Sequence, residues 1–146
     1  MTKTFASSFA DLAAFKRCKA QGKSDVECFK VGDNGVGAWG DTTATEDVPM
    51  CALPPEDWLE RWGARSLARG KRVTVVYIGQ RVVGELRDTM PHRVNIRNGC
   101  GIDLNPGFAK AFGLKPPFKV PVEWCWTDDE KPQAVGWLQR LLSFFK

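Results

Sequence analysis

What this chain has little of already narrows its chemistry. Its single histidine, His92, stands at no zinc-ligand spacing from the five cysteines, which form no Cys-x-x-Cys pair. No metal site is therefore expected. The odd cysteine count argues against a complete disulfide framework, so buried free thiols are the favoured reading, with a Cys51–Cys125 bridge as the alternative. No run of five like charges occurs, and the net charge is only +4, so a nucleic-acid partner is not indicated. Gly35-x-Gly37 and Gly99-x-Gly101 do not lead from a strand into a helix with a Lys/Ser pair. Nucleotide cofactors are thus excluded, and no other cofactor is called for. No apolar stretch reaches membrane-spanning length. The first residues carry Lys3 but lack a leader's apolar segment, because Asp11, Lys16 and Arg17 interrupt them. The sequence assigns no compartment.

What is present is enough for a packed core: 146 residues, 43% of them hydrophobic, with six Trp. Phe5, Phe9, Leu12 and Phe15 recur at helical spacing, with Ser7 or Ser8 as cap and Gly22 as stop. Ser24-Asp25-Val26-Glu27 reads as a capping box opening a second short helix. Gly32-Asp33-Asn34-Gly35 is turn chemistry, leading into an expected short strand over 36–41. A helix is expected from Pro54-Pro55, with Trp58, Leu59 and Trp62 inward and Glu56 and Asp57 at its positive end. The β-branched run 73–78, the Gly79-Gln80 turn and residues 81–86 predict a hairpin. Residues 102–104 and 118–126 read as strands, 106–112 as a helix, and the chain after Pro132 as an amphipathic helix carrying Trp137, Leu141 and Phe145. The reading is mainly β with helical additions: a helical pair over 1–32, a small closed barrel over 33–127 and a terminal helix over 128–146.

Four motifs carry a resemblance. They are Val36-Gly37-Ala38-Trp39-Gly40, Cys51-Ala52-Leu53-Pro54-Pro55, Glu85-Leu86-Arg87-Asp88-Thr89-Met90-Pro91, and Gly101-Ile102-Asp103-Leu104-Asn105-Pro106 followed by Phe108. In this order they resemble the double-psi β-barrel superfamily, which includes the expansin N-terminal domain, barwin-like proteins and the rare lipoprotein A family of lytic transglycosylases. The resemblance spans roughly residues 35–126 and implies a six-stranded double-psi barrel. It also implies a groove for a cell-wall polysaccharide, peptidoglycan in the bacterial members.

On that resemblance Asp88 holds the place of the family's essential carboxylate. It serves either as acid/base in lytic cleavage or as an expansin-like binding group; Asp capping its own loop is the alternative. Asp41 lies roughly where the barwin-like endoglucanases place a second carboxylate, with Glu46 and Asp47 as neighbours of equal claim. Asp103, between Ile102 and Leu104, reads as a buried carboxylate that supports the groove. Trp39 and Tyr77 are candidate sugar-stacking rings, Trp39 being the one expected in the groove. His92 follows Asp88 by four residues and is placed to tune it or to contact substrate. Arg87, Arg93 and Arg97 form either a solvated rim or a contact for substrate carboxylates.

Two functions follow. The first is glycan binding or loosening in the cell envelope, with cleavage if Asp88 donates a proton. The second is a non-enzymatic part of a larger assembly such as a phage particle or secretion device, with the C-terminal helix contacting a protein partner.

Overall fold

The structure, a computed structural model, describes residues 1–131. Six strands close into a mixed barrel in the order β1-β5-β2-β4-β3-β6. The strands are β1 (Thr2–Ser8), β2 (Met50–Leu53), β3 (Arg72–Tyr77), β4 (Gln80–Thr89), β5 (Cys100–Leu104) and β6 (Lys119–Trp126). Two contacts are parallel, β1 with β5 and β2 with β4, and the other four are antiparallel. The molecule is thus mainly β with helical additions, as the sequence predicts.

Inward side chains fill the barrel: Ala6, Cys51, Leu53, Val73, Val75, Leu86, Ile102, Leu104, Val122, Trp124 and Trp126 are all buried. The helices close its ends. Helix α3 (Pro55–Trp62) starts on Pro54-Pro55 with Glu56 and Asp57 in its first turn, and it stops at Gly63 in the left-handed region. Its Trp58 is buried and donates its indole N–H to Thr89 Oγ1 at 3.2 Å, tying the helix to the end of β4. The short α4 (Arg65–Ala68) follows. Helix α5 (Pro106–Phe112) buries Phe108 and Phe112 against the same core.

Asn105 pins α5 to the barrel. Its fully buried side chain accepts from the amides of Met50 and Phe108 and donates to the carbonyls of Thr43, Thr45 and Val48. One amide group thereby pairs with five backbone groups, of which the Thr43 carbonyl also accepts from the Thr45 amide.

The first twenty residues depart from expectation. Thr2–Ser8 is a strand, not the start of a helix, so the barrel claims residues from the first part of the chain, not only from 33 onward. Its neighbours supply the reason: β1 lies between β5 and β6, and ladders on both edges outweigh a short helical pattern of Phe residues. Ala10, at φ 62°, turns the chain, and helix α1 (Leu12–Ala20) begins only after Asp11, whose side chain accepts from Ala13 N. Helix α2 (Asp25–Cys28) follows, capped as predicted by Ser24.

These two helices form a small flap closed by a Cys18–Cys28 disulfide, with Cα atoms 5.4 Å apart. The expectation of five free thiols is corrected by this pair, because the turn at Gly22 returns α2 alongside α1. Cys51 and Cys100 are buried free thiols, and Cys125 is a half-buried one, so the alternative Cys51–Cys125 bridge is not formed.

The expected strand over 36–41 is also corrected. Only an isolated bridge between Val36 and Thr42 forms there. Asp33 and Asn34 accept the amides of Gly35 and Val36, and Gly37 and Gly40 close a tight turn, so the backbone satisfies itself locally. The expected C-terminal helix, with Trp137, Leu141 and Phe145, lies outside the described residues. Among the described residues no helix is long and apolar enough to cross a membrane.

Candidate functional site

Two β-bulges build the site. In the β2–β4 ladder Cys51 pairs with Leu86 but Ala52 pairs with Asp88, leaving Arg87 as an extra residue. In the β1–β5 ladder Phe5 pairs with Cys100 but Ala6 pairs with Ile102, leaving Gly101 extra. A bulge turns the residues beyond it to the other face of the strand. Leu86 therefore points into the core while Asp88, two residues on, does not.

The result is a transverse row across four adjacent strands: Ser7 beside Asp103, Asp103 beside Ala52, Ala52 beside Asp88. At about 4.8 Å between strands, the Cα atoms of the two aspartates are separated by about 10 Å. The small Ala52 side chain is what lies between them.

Both carboxyls are half-buried and hard to ionise. Burial pushes Asp103 up to about 6, opposed by the hydrogen bond from Ser7 Oγ and reinforced by the charges of Asp88 and Asp33. Burial also raises Asp88, against two amides, Ala38 N at 2.9 Å and Thr89 N at 2.8 Å, that favour its anion. Asp33 raises Asp88 as well, while the Arg65 guanidinium lowers it. Two carboxyls in one row, with a third charge near both, make a place where a proton is held close to neutral pH.

The turn 36–42 roofs the Asp88 end. Gly37 packs so tightly on Arg87 that a Cβ would collide with its carbonyl oxygen. The Ala38 amide delivers its hydrogen bond to Asp88 from this turn.

The other residues singled out in the sequence fall elsewhere. Asp41 is engaged by Arg69 at 2.8 Å and by Arg87 at 3.5 Å. The Arg69 hydrogen bond, joined by the Arg87 charge, holds its carboxyl below the usual range, and burial only partly offsets this. That is the electrostatics of a structural ion pair, not of a proton donor. Trp39 is half-buried instead of bare in a groove, edge-on to Trp58 with ring centroids 5.9 Å apart, and Arg65 covers it at 5.4 Å.

Tyr77 pairs with Gln80 at the hairpin tip, eight residues along β4 from Asp88. At about 3.3 Å per residue the two ends of that strand are roughly 26 Å apart, so Tyr77 and Asp88 belong to opposite ends of the barrel. His92 is exposed and its Nδ1 lies 2.8 Å from Glu56 Oε1, which also accepts from Arg93 N. It fastens its loop to the start of α3. Arg93 pairs with Asp57, and Arg87 with Glu85 and Asp41. Among the described residues no His/Cys/Asp/Glu cluster could hold a metal ion.

Two members of the site escaped the sequence reading. Helical spacing makes Ser7 a cap candidate, whereas its hydroxyl donates to Asp103, 96 positions away. Asp33 is the turn residue its motif predicts, accepting from Gly35 N at 2.6 Å, and its charge also acts on both aspartates.

No family model matches this chain, and no curated protein matches it by sequence. Among solved structures it is similar to the Streptomyces papain inhibitor, at 17% identity and a TM-score of 0.45, covering 84% of this chain and 94% of that one. A likeness that slight carries no argument about this chain's activity.

Proposed function

We propose that the protein binds a cell-wall glycan, peptidoglycan in the first instance, along the row Ser7–Asp103–Ala52–Asp88, in the manner of an expansin-like double-psi barrel. The observation that carries this reading is the pairing of two half-buried aspartates across Ala52. Sugar hydroxyls are donors, and half-buried carboxylates with unused lone pairs accept them strongly. The two parallel ladders, each with one bulge, support the double-psi reading, and the antiparallel β2–β5 ladder sets the second carboxylate strand on the other side of β2 from the first.

A second reading, lytic cleavage, is favoured by one observation: Asp103 is pushed up to about 6. A group that keeps its proton near neutral pH is suited to protonating a glycosidic oxygen. That exchanges the roles read from the sequence. Asp103 becomes the proton donor, and Asp88, its anion held by two backbone amides, becomes the charge that faces developing positive charge on the sugar.

Wild type, Asp88→Asn and Asp103→Asn are incubated with purified peptidoglycan, and both pelleting and soluble muropeptides are measured. Pelleting that weakens in both variants supports the binding site. Release of muropeptides lost in Asp103→Asn supports cleavage. Wild-type protein that neither pellets nor releases fragments sinks both readings and leaves the assembly role.

A further inference from the structure

The flap carries a cleft of its own, lined about equally by apolar and polar groups, which approaches the carboxylate row through Asp33. About 400 Å³ in size, it is lined in part by Phe9, Phe29, Val31, Asp33, Val36 and Pro117. Three of these are bare for their type: Phe29 is 52% exposed, Val31 62% and Val36 48%. An isolated exposed apolar side chain needs no explanation, but a contiguous group lining a concave surface does.

Phe29 is also held in place. Its ring packs on Phe15 with centroids 5.3 Å apart, and the Cys18–Cys28 disulfide fixes the preceding residue. One side of the ring is fastened within the flap while half of its surface remains open to solvent. That is the arrangement of a stacking platform: a large apolar surface, pre-positioned at little entropic cost on binding.

Charge narrows what could stack there. Asp11 and Asp33 line the cleft, and Asp33 lies close enough to Asp88 and Asp103 for its charge to act on both. The arginines near the row are already engaged: Arg87 by Glu85 and Asp41, Arg69 by Asp41, and Arg93 by Asp57. Arg65 is the cation that acts on Asp88, and it is shared with the Ala38 carbonyl and the Trp39 ring. Lys119, opposite Ser7 in the β1–β6 ladder, is drawn to the Asn98 carbonyl and the Phe5 ring, so in the cleft itself a sugar bearing a carboxylate would meet the like charge of Asp11 and Asp33. An uncharged ring would place its C–H face on Phe29 and its hydroxyls against Asp33 and Asp11.

We propose that this flap cleft is a sugar subsite continuous with the Asp33–Asp88–Asp103 carboxylates, and that it takes an uncharged sugar ring stacked on Phe29. The inference rests on the glycan-binding reading above and adds to it the ring that provides the platform and the charge of the sugar accepted.

The test is sedimentation with purified peptidoglycan, native and with its carboxyls amidated. Five proteins are compared: wild type, Phe29→Ala, Phe29→Trp, Val36→Glu and Asp103→Asn. The expected result is tighter pelleting on the amidated polymer and about tenfold weaker pelleting by Phe29→Ala and Val36→Glu, with Phe29→Trp near wild type. Val36→Glu changes the cleft without touching Phe15, and an intact disulfide by mass spectrometry confirms that each flap is formed. If Phe29→Ala and Val36→Glu bind like wild type while Asp103→Asn does not, the subsite is overturned and the carboxylate site stands. If native polymer binds as well as amidated, the preference for an uncharged sugar is overturned. If wild type binds neither polymer, the glycan reading itself fails, and the subsite with it.

Discussion

Asp88 and Asp103 flank Ala52 in a single row of the barrel, although 15 positions separate them in sequence and neither strand pairs with the other. The relationship exists because β2 is the common neighbour of β4 and β5, and because Arg87 bulges out of the β4 ladder. It places two groups of like charge on one half-buried surface, which favours the protonated form of one of them.

Stability should report that tension. An ordinary aspartate titrates near 3.9, and Asp103 is pushed up to about 6. Between those values the native state holds a proton that the unfolded chain has released, so stability falls as pH rises from about 4 to about 6. Asp103→Asn keeps an acceptor for Ser7 and removes the buried charge. The variant is expected to be more stable than wild type at neutral pH by about 1–2 kcal/mol and nearly equal to it below about pH 4. Urea midpoints at the two pH values check this, and a variant less stable than wild type at neutral pH contradicts it.

Asn105 offers the largest single effect. Its removal takes this partner from the Met50 and Phe108 amides and from the Thr45 and Val48 carbonyls, while the Thr43 carbonyl keeps the Thr45 amide. Asn105→Ala is expected to cost about 3 kcal/mol or more, measured by denaturant unfolding. Asn105→Asp keeps the two acceptor bonds but presents a charge to the three carbonyls, and it too is expected to destabilise.

The roof over Asp88 depends on Gly37 having no side chain. In Gly37→Ala the new methyl would collide with the Arg87 carbonyl, so the 36–42 turn must lift or the strand must shift. A loss of about 1–3 kcal/mol is expected. The Ala38 amide should also lose its bond to Asp88, visible as a shift of its proton resonance.

The thiols should separate by reactivity. Alkylation of the native, unreduced protein is expected to modify Cys125 first and to leave the buried Cys51 and Cys100 slow, with Cys18 and Cys28 unmodified as a disulfide. Cys18→Ser should raise amide exchange in α1 and α2 by about tenfold or more and leave β3 and β4 unchanged, because the only buried residues of those two helices are the bridged cysteines.

How much of this was legible in the sequence depends on how local each signal was. The β3–β4 hairpin, α3, α5 and β6 were readable because their information is local: a β-branched run, Pro at a first helical turn, Gly at a stop. Strand β1 reads as a helix in the sequence because what makes it a strand is pairing with β5 and β6, about a hundred residues away. The turn 36–42 looked like a strand because Val36 and Trp39 outweighed the glycines on paper, whereas Asx turns prevail in the fold.

The motifs single out Asp88 and Asp103, but nothing local shows that the two share a row, because the bulge at Arg87 and the contact with Ser7 leave no trace in the sequence around them; Gly101, at the second bulge, is the one hint. Tyr77 and Asp41 lie apart from that row for reasons the sequence does not carry: one is at the far end of β4, and the other is paired with two arginines.

The central claim is that glycan is held along the Ser7–Asp103–Ala52–Asp88 row, and amide chemical-shift mapping with soluble muropeptide fragments tests it most directly. The account predicts the largest shifts at Ser7, Ala38, Ala52, Asp88 and Asp103, with little change at Tyr77 and Gln80 at the opposite end of the barrel. Saturable shifts confined to the Tyr77 end, or none at all, would contradict it.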